Sequence, residues 1–327
     1  MANIQKQFEG FHETIRTDYE TNKELRDKRD IILGKIEKSL SEAKRPSFLR
    51  LMQGSYIMRT GVKPIGEKEY DIDVGMRFKF NAEEYDATTV REWVFEAVKS
   101  HTDNVESKGP CIRVGYAKGF HVDLVPYAWW TDDAEAEQFR LAHSSKGWIA
   151  ADPPKLLKYV DDAQDTFVDT EGSTQTTQLR RVIRCLKRWD DVQLPEESEA
   201  KPSGLAFTLL SIAQLAKTMS WDGKPDDRAA LMGIASFVTG QTRVVAKKPS
   251  PEYEDMFAKL SDEHMEALIE RFRVMKNALE ASEREVDPTK ACELLVPIFG
   301  DDFPVPPPDA TGKKTQAPAI ITSSSSA

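Results

Sequence analysis

The chain has 327 residues, of which 40% are hydrophobic and 30% are charged, and its formal net charge is -9. This length allows one large hydrophobic core or two modest ones, and the acidic balance argues against a broad basic face of the kind that binds duplex nucleic acid, although it allows a local basic pocket. A membrane-spanning run of about 18 apolar residues is absent, as is a signal-peptide layout in the first residues, MANIQKQFEG. We therefore expect a cytoplasmic protein that has no membrane partner.

The N-terminal part predicts two amphipathic helices followed by a strand. Apolar residues recur at spacings of three and four between Ile4 and Tyr19, and again between Leu25 and Leu40. Pro46 ends the second helix, because proline interrupts the helical hydrogen bonds. The next apolar run, Phe48–Met52, has the length and composition of a short strand.

A Gly-Ser turn follows this strand. The residues QGSYIMRTG place Gly54 and Ser55 between the strand and one helical turn at Tyr56–Arg59. Backbone N–H groups and a hydroxyl at such a turn are suited to holding an anion. We therefore expect a phosphate ligand beside Gly54 and Ser55.

Two carboxylates lie on the next predicted strand, Tyr70–Phe80 (YDIDVGMRFKF). Side chains alternate across a strand, so Asp71 and Asp73 are expected on the same face. Oxygen ligands of this kind suit Mg²⁺, which binds carboxylates together with waters and substrate phosphates. An Asp-x-Asp pair alone also fits a solvated surface strand, so the neighbouring motifs decide between the two interpretations.

A third carboxylate lies in a predicted β-hairpin. Two apolar runs, CIRVGYA (Cys111–Ala117) and FHVDLVPY (Phe120–Tyr127), are separated by a Lys-Gly pair. The second run contains a lone charge, Asp123, which is costly among Val and Leu unless it binds a metal or a hydrogen-bond donor. If this strand lies beside the strand of Asp71, three carboxylates meet at one place and form a metal site.

The second half of the chain is predicted to be largely helical. In the helix that starts near Thr176, Arg180, Arg184 and Lys187 recur on one face. Such a basic row is either a solvated helix face or a set of phosphate contacts, and the solvated interpretation applies more readily to Arg180 than to Lys187. The other expected elements are helices at Asp86–Ser100 and from Asp152 through Val160, a strand at Glu137–His143, and helices at Ser203–Met219, Ala229–Val238, Met265–Leu279 and Pro288–Phe299.

Together, the Gly-Ser turn, the Asp-x-Asp pair and the third Asp resemble the pattern of the DNA polymerase β-like nucleotidyltransferase superfamily. The segments QGSYIMRTGVKP, EYDIDVGMRF and FHVDLVPY, with a Lys and a Ser in later helices, are similar to the bacterial relatives of cyclic GMP-AMP synthase and oligoadenylate synthase, the CD-NTases. The resemblance implies an α+β fold, in which a polymerase β-like core of mixed sheet and helices joins a helical second lobe, with the active site in the cleft.

The resemblance also implies a domain organisation. Spine helices at residues 1–45 bridge the lobes, followed by a catalytic core at 46–165, a helical lobe at 166–300 and a flexible tail at 301–327. In some relatives a ubiquitin-transfer-like system joins the C-terminal residue to a target, and the Ser-rich end at Ala327 is compatible with this; a plain disordered end is the alternative. The zinc-binding insertion of the animal DNA sensor has no Cys/His cluster here, so long nucleic acid is not expected to be required.

The implied cofactor is Mg²⁺, as two ions with Mn²⁺ as a substitute, bound by Asp71, Asp73 and Asp123. Asp123 is also expected to orient or deprotonate the acceptor ribose hydroxyl. The residues implied to bind the nucleotide triphosphate, or to support the residues that do, are Gln53, Gly54, Ser55, Lys187 and Ser203.

The implied activity is the condensation of NTPs, namely ATP, GTP or both, into a cyclic oligonucleotide with release of pyrophosphate. The expected product is a purine cyclic dinucleotide such as a cyclic GMP-AMP, and the expected downstream partner is an effector that binds this second messenger in bacterial anti-phage (CBASS-type) defence. Two alternatives stay open. One is a nucleotidyltransferase that modifies RNA or protein, and the other is a catalytically inactive nucleotide-binding scaffold.

Overall fold

The computed structural model describes most of the chain. The predicted tail from residue 309 onward, including Ala327, lies outside the described residues, so its conjugation stays a prediction, as do the predicted domain boundaries. The described residues are 2–17, 23–66, 70–117, 119–195, 198–249, 251 and 253–308, without the side chains of residues 23–25, 70 and 71.

A mixed sheet forms the centre of one half of the structure, and seven strands of it lie in the described part of the chain. These strands are β1 (Phe48–Met52), β2 (Tyr70–Lys79), β3 (Asn104–Ser107), β4 (Ile112–Tyr116), β5 (Phe120–Thr131), β6 (Glu137–His143) and β7 (Gly147–Ala150). The order is β1-β2-β5-β4-β3, while β6 pairs with the second half of β5 and β7 pairs with β6. Only the β2–β5 pair among them is parallel, and it brings the predicted Asp-x-Asp strand beside the predicted Asp123 strand.

One hydrophobic core lies between this sheet and two helices. The helices of this half are α2 (Lys23–Glu42), α3 (Gly54–Ile57), α4 (Ala87–Val98) and α5 (Pro153–Asp165), of which α2 and α4 cover one face of the sheet. Ile36 of α2 and Val94 of α4 are fully buried there. Each such side chain contributes about 1.5–3 kcal/mol through burial, so packing on this face stabilises the fold.

Alternation along the two central strands puts the aspartates on the other face. Ile72 and Val74 of β2 and Val122 of β5 belong to the core beneath α2 and α4. Asp73 and Asp123 occupy the intervening positions, so both project from the opposite face. Because the two strands pair with Asp73 directly opposite Asp123, the two carboxylates lie side by side.

The helical lobe is built around a second core. Its elements are α1 (Gln5–Ile15), α6 (Gln178–Gln193), α7 (Gly204–Gln214), α8 (Asp227–Thr239), α9 (Asp262–Arg284), α10 (Pro288–Glu293) and α11 (Val296–Phe299). Five of these helices start at a side-chain cap, namely Thr177, Ser203, Asp226, Ser261 and Asp287. α1 packs within this lobe, where Phe8 and Phe11 contact Phe299 and Phe303. None of the described helices has both the length and the apolar surface that a membrane span requires.

Several predicted elements are confirmed, and others differ for identifiable reasons. The strands at Phe48–Met52 and Glu137–His143 and the hairpin of β4 and β5 are present. The helix predicted for Ser203–Met219 ends at Gln214 instead, because the Gln178 side chain bonds both backbone groups of Thr218 at 2.9 Å and holds it outside a helix. This contact connects distant parts of the chain, so no local pattern reports it.

The predicted helix at Pro288–Phe299 is in fact two short helices, α10 and α11. Pro297 lies in the first turn of α11, and proline has no N–H with which to continue the hydrogen bonding of α10. The strands β3 and β7 were not predicted, because each has four residues and the sequence of β3, NVES, is largely polar. Pairing with β4 and β6 specifies them instead.

A buried ion pair joins α6 to α8, and α1 contributes to it. Arg181 Nε and Nη2 donate to Asp227 Oδ2 at 2.6 Å and Oδ1 at 3.0 Å, and Gln5 Nε2 donates to Asp227 Oδ2 at 3.0 Å. Both ionic side chains are fully buried. Removing one partner leaves a buried charge uncompensated, so Asp227→Ala is expected to lower the free energy of unfolding by about 3–5 kcal/mol in urea denaturation.

The matched control for this prediction is an exposed ion pair of the same lobe. Lys217 Nζ lies 2.9 Å from the carboxylate of Asp169, and both side chains are largely exposed. Asp169→Ala is expected to change the free energy of unfolding by less than about 1 kcal/mol, since solvent screens such pairs. Equal losses in the two variants would contradict the special role of the buried pair.

Candidate active site

Gly54 allows the turn at α3 to approach Asp73 directly. Its φ is 73°, in the left-handed region that favours glycine. A β-carbon at this position would lie 1.9 Å from Asp73 Oδ2 and 2.6 Å from Asp73 Cγ. Glycine is therefore required for the carboxylate of Asp73 to lie against the backbone of α3.

Asp123 is held by an arginine from the neighbouring strand. Arg113 lies opposite Asp123 in the β4–β5 pair, and its Nε and Nη2 donate to Oδ1 at 2.9 Å and Oδ2 at 2.8 Å. Asp123 is buried, with 6% of its surface exposed. This two-pronged ion pair compensates for the burial of the carboxylate and fixes its plane.

Asp71, the third predicted carboxylate, can be placed by its backbone only. It lies two residues before Asp73 in β2, opposite His121 of β5, and its side chain is outside the described set. Among the side chains that are described, no group of three or more His, Cys, Asp or Glu residues is arranged to hold a metal ion. Asp73 and Asp123 provide hard oxygen donors on strands about 5 Å apart, which fits a divalent cation such as Mg²⁺.

Gln53 and Ser55 lie on either side of Gly54. The Tyr127 hydroxyl donates to Gln53 Oε1 at 3.0 Å, which anchors the Gln53 side chain to β5. The carbonyl of Ser55 accepts from the Thr60 N–H at 3.0 Å. The Gly-Ser turn is thus tied to the sheet on one side and to the segment after α3 on the other.

Lys187 reaches this region from α6. Its Nζ donates to Thr60 O at 3.0 Å and to Thr60 Oγ1 at 3.1 Å, and 9% of the residue is exposed. Burial, followed by the charge of Arg184, lowers the pKa of Lys187 to about 7, although Asp191 and Asp73 act in the opposite direction. Near neutral pH, an anion that binds beside this lysine would therefore favour its protonated form.

Ser203 caps α7 close to Lys187. Its hydroxyl accepts from the Ala206 N–H at 3.4 Å. A β-carbon at the next residue, Gly204, would lie 3.2 Å from Lys187 Cε, so the start of α7 approaches the lysine closely. The structure thus brings Ser203 and Lys187 together, although they are separated in the sequence.

These residues line one cavity of about 810 Å³. This volume is within the range of small-molecule sites and is sufficient for a nucleotide. Its walls contain every predicted site residue whose side chain is described. These are Gln53, Gly54, Ser55, Asp73, Asp123, Lys187 and Ser203.

The segment that carries the aspartates matches a known domain family. Residues 47–127 match the nucleotidyltransferase domain described as cyclic GMP-AMP synthase DncV-like. These residues are similar to that family, and we call them the DncV-like domain. This finding confirms the resemblance to the bacterial relatives of cyclic GMP-AMP synthase, and it places the Gly54 turn, Asp73 and Asp123 inside the matched segment.

A curated relative extends the similarity beyond the DncV-like domain. The c-di-GMP synthase of Roseivirga ehrenbergii is 24% identical in an alignment of 229 residues that covers 66% of this chain and 54% of that protein. The chain therefore spans about half the length of this relative.

Solved structures resemble nearly the whole chain. The Vibrio cholerae DncV cyclic AMP-GMP synthase aligns with a TM-score of 0.74 at 18% identity, over 92% of this chain and 97% of that one. Escherichia coli CdnC with ATP aligns with a TM-score of 0.66 at 15% identity, over 91% of this chain and 98% of that one. The predicted α+β fold, a polymerase β-like core with a helical second lobe, is confirmed.

Two side chains of the DncV-like domain were missed from the sequence. Arg113 lies in the apolar run CIRVGYA, and the hairpin turn puts it opposite Asp123, so the pairing of two lone charges was a usable signal. Tyr127, the partner of Gln53, gave no comparable signal, because tyrosine is common in buried strands.

The helical lobe contributes a further missed residue, Asp190, which follows the predicted Lys187 on α6. Asp190 lines the cavity and accepts from Arg271 Nη1 at 2.7 Å. Burial raises the pKa of Asp190 to about 6, against the lowering by Arg271. An unusual carboxylate therefore lies in the cavity wall contributed by the helical lobe.

Proposed function

We propose that this chain is a Mg²⁺-dependent nucleotidyltransferase that condenses NTPs into a cyclic dinucleotide and releases pyrophosphate. The observation that carries the proposal is the position of Asp73 and Asp123, which lie side by side and face a nucleotide-sized cavity that also contains the Gly54 turn and Lys187. Phosphoryl transfer depends chiefly on positioning and charge neutralisation, and this arrangement offers both.

The residues have separate roles in the proposed reaction. Asp73 and Asp123, with Asp71, would hold the metal, which would neutralise phosphate charge and lower the pKa of the attacking hydroxyl. Ser55 and the backbone at Gly54 bind the donor triphosphate from the catalytic core. Lys187 binds it from the helical lobe, with Ser203 at the same wall.

The bond changes follow from this arrangement. The oxygen of an acceptor ribose hydroxyl attacks the α-phosphorus of the donor, and the bond from that phosphorus to the pyrophosphate oxygen breaks. Asp123 orients the hydroxyl or accepts its proton. A second transfer of the same kind closes the ring and releases a second pyrophosphate.

Relatives support the class of product. The curated relative is named a c-di-GMP synthase, and the Vibrio cholerae structure is named a cyclic AMP-GMP synthase. We therefore propose ATP, GTP or both as substrates, and a purine cyclic dinucleotide as the product. Its proposed setting is the bacterial cytoplasm, where an effector of anti-phage (CBASS-type) defence would bind the product.

The full chain incubated with the four NTPs and Mg²⁺ tests this function. A phosphatase-resistant nucleotide that forms without added RNA or protein is the expected product, and mass spectrometry after linkage-specific nuclease digestion identifies its bases and linkages. Label transferred only to added RNA or protein would support the alternative nucleotidyltransferase. Nucleotide binding without turnover under any of these conditions would support an inactive scaffold.

The affinity for a nucleotide triphosphate is expected to fall as pH rises from 7.5 to 9. Lys187 has a pKa of about 7 in the free protein, so above that pH binding of the triphosphate must take up a proton. The phosphates themselves are ionised in this range. The fall approaches about tenfold per pH unit. Isothermal titration calorimetry in buffers of different ionisation enthalpy measures both affinity and proton uptake.

The control for this pH effect is Lys187→Gln, which removes the titrating group. This variant is expected to bind the triphosphate more weakly at pH 7, and with an affinity that is nearly constant from pH 7.5 to 9. If the glutamine variant kept the same pH dependence and proton uptake as the unmodified protein, another group would be responsible.

A further inference from the structure

Arg184 is a buried cation that contacts elements other than its own helix. It is 4% exposed, its Nε donates to Gly61 O at 3.1 Å, and its Nη2 donates to Arg59 O. Its Nη1 contacts His12 Nε2 of α1. Burial, followed by the charge of Arg184, lowers the pKa of His12 to about 2, so the imidazole is neutral and accepts the hydrogen bond. The solvated interpretation of the basic row is thus wrong for Arg184.

The next two cations of α6 bond to the same backbone segment, residues 59–63. Lys187 contacts Thr60 through both the carbonyl and the hydroxyl, and Arg188 Nη2 donates to Lys63 O at 2.9 Å. One face of α6 therefore binds four carbonyls of a five-residue stretch. We call this stretch the junction segment.

The junction segment connects the Gly-Ser turn to the rest of the molecule. At its start, Thr60 N–H donates to Ser55 O at 3.0 Å. At its end, Lys63 N–H donates to Ile15 O of α1 at 2.7 Å. Arg59 has a φ of 54°, a conformation that is unfavourable for a residue with a β-carbon and persists only where surrounding contacts impose it. The bond from Arg184 to the carbonyl of Arg59 is such a contact.

We propose that Arg184 is a positioning residue that holds the junction segment against α6 and thereby sets the separation between the Gly54–Ser55 turn and Lys187. This inference rests on the proposed function, because it assigns the two sides of one triphosphate site to the turn and to the lysine. The planar fork of arginine is what the geometry needs, since it bonds two carbonyls and an imidazole at fixed angles. A lysine has the same charge but not that fork.

The distinguishing consequence concerns triphosphate, not nucleoside, recognition. Misplacing the turn relative to Lys187 weakens contacts to the phosphate chain, whereas the part of the cavity that takes a base and ribose is unchanged. We therefore expect the affinity for a triphosphate to fall at least about tenfold in Arg184→Gln and in Arg184→Lys, since small displacements at a binding site have effects of this size or larger. The affinity for the matching monophosphate is expected to change less than about threefold, because substitutions away from the bound groups have small effects.

The experiment measures nucleotide binding to the full chain with Mg²⁺ by calorimetry. The triphosphate ligands are the α,β-methylene analogues of ATP and GTP, and the monophosphate ligands are AMP and GMP. Arg180→Gln is the matched control, because it removes the same charge from the same helix at a half-buried position. It is expected to bind the analogues within about threefold of the unmodified protein. Circular dichroism and thermal unfolding establish that each variant is folded.

Three outcomes would overturn the inference. Full affinity for the analogues in Arg184→Lys would mean that charge matters and the fork does not. Equal losses for triphosphate and monophosphate would mean a general structural role. Unchanged triphosphate affinity in Arg184→Gln would remove the role altogether.

A folding defect does not block the test. If neither Arg184 variant folds, Arg188→Gln weakens the same attachment at its outer end, at Lys63. It is expected to lower triphosphate affinity about threefold or more with monophosphate affinity retained, and no change would contradict the proposal.

The proposed function and this inference fail in different ways. If the unmodified protein binds neither analogue, the proposed function is wrong. If it binds an analogue and all variants bind it equally well, the proposed function stands and the role of Arg184 is wrong.

Discussion

Asp73→Asn is expected to reduce the rate of cyclic dinucleotide synthesis by at least about 1000-fold, which corresponds to roughly 4 kcal/mol of transition-state stabilisation. The substitution keeps the shape of the side chain and removes the negative charge that is proposed to bind the metal. Asp73 lies side by side with Asp123 and against the backbone of Gly54, so an amide at this place weakens metal binding and leaves the fold in place. Product formation from NTPs, measured by chromatography, gives the rate, and Mn²⁺ binding followed by electron paramagnetic resonance reports the metal site directly.

The control is Asp133→Asn, the same chemical change at an exposed carboxylate in the turn between β5 and β6. Its activity is expected to stay within about twofold of the unmodified protein, because surface substitutions away from a site have small effects. Full activity in Asp73→Asn, with the protein folded, would remove Asp73 from the site. Loss of activity with unchanged Mn²⁺ binding would assign it a role other than metal ligation.

Gly54→Ala is expected to lower the synthesis rate by about 100-fold or more, since a displacement of about 1 Å at a reacting site has effects of this size. The new β-carbon would meet Asp73 Oδ2 at 1.9 Å, so the carboxylate or the α3 backbone must shift. In addition, an alanine at the φ of 73° that Gly54 adopts destabilises the fold by about 1 kcal/mol. Activity and Mn²⁺ binding are therefore expected to fall sharply, while the thermal stability of the protein decreases only slightly.

Gly223→Ala is the matched control for the backbone part of this effect. Gly223 has a φ of 76°, nearly the same as Gly54, but a β-carbon there would meet no atom within 4 Å. This variant is expected to lose about 1 kcal/mol of stability with activity retained. If the two alanine variants lost activity equally, left-handed strain would be the cause, and the close approach to Asp73 would have no particular role.

The placement of the aspartates was largely predictable from the sequence. In YDIDVGMRF, side-chain alternation puts Asp73 on the face of the strand opposite to that of Ile72 and Val74. In the predicted hairpin, Asp123 is a lone charge among apolar residues. These signals are local, because side-chain alternation along a strand depends only on the backbone. That the two strands lie side by side was a conditional expectation, and the structure pairs them in parallel with Asp73 opposite Asp123.

The contacts of the helical lobe were much less predictable. The basic row of α6 has a periodicity that fits a solvated face equally well, and only packing distinguishes the two interpretations. Arg184 and Lys187 are buried because α6 crosses the segment that follows α3, which lies more than a hundred residues earlier in the chain. Such long-range contacts leave no mark in a local pattern.

The sequence by itself therefore determined the arrangement on which the proposed chemistry rests, which consists of carboxylates on paired strands beside a Gly-Ser turn. Local rules suffice for this, since alternation, turn residues and the cost of a lone buried charge are properties of short segments. Only the tertiary structure decided how that site is completed. Arg113 faces Asp123, Asp73 lies against Gly54, and Lys187 reaches Thr60 with its pKa lowered to about 7. Each of these depends on the burial and the distance between elements that are brought together by folding, and those quantities exist only in the folded chain.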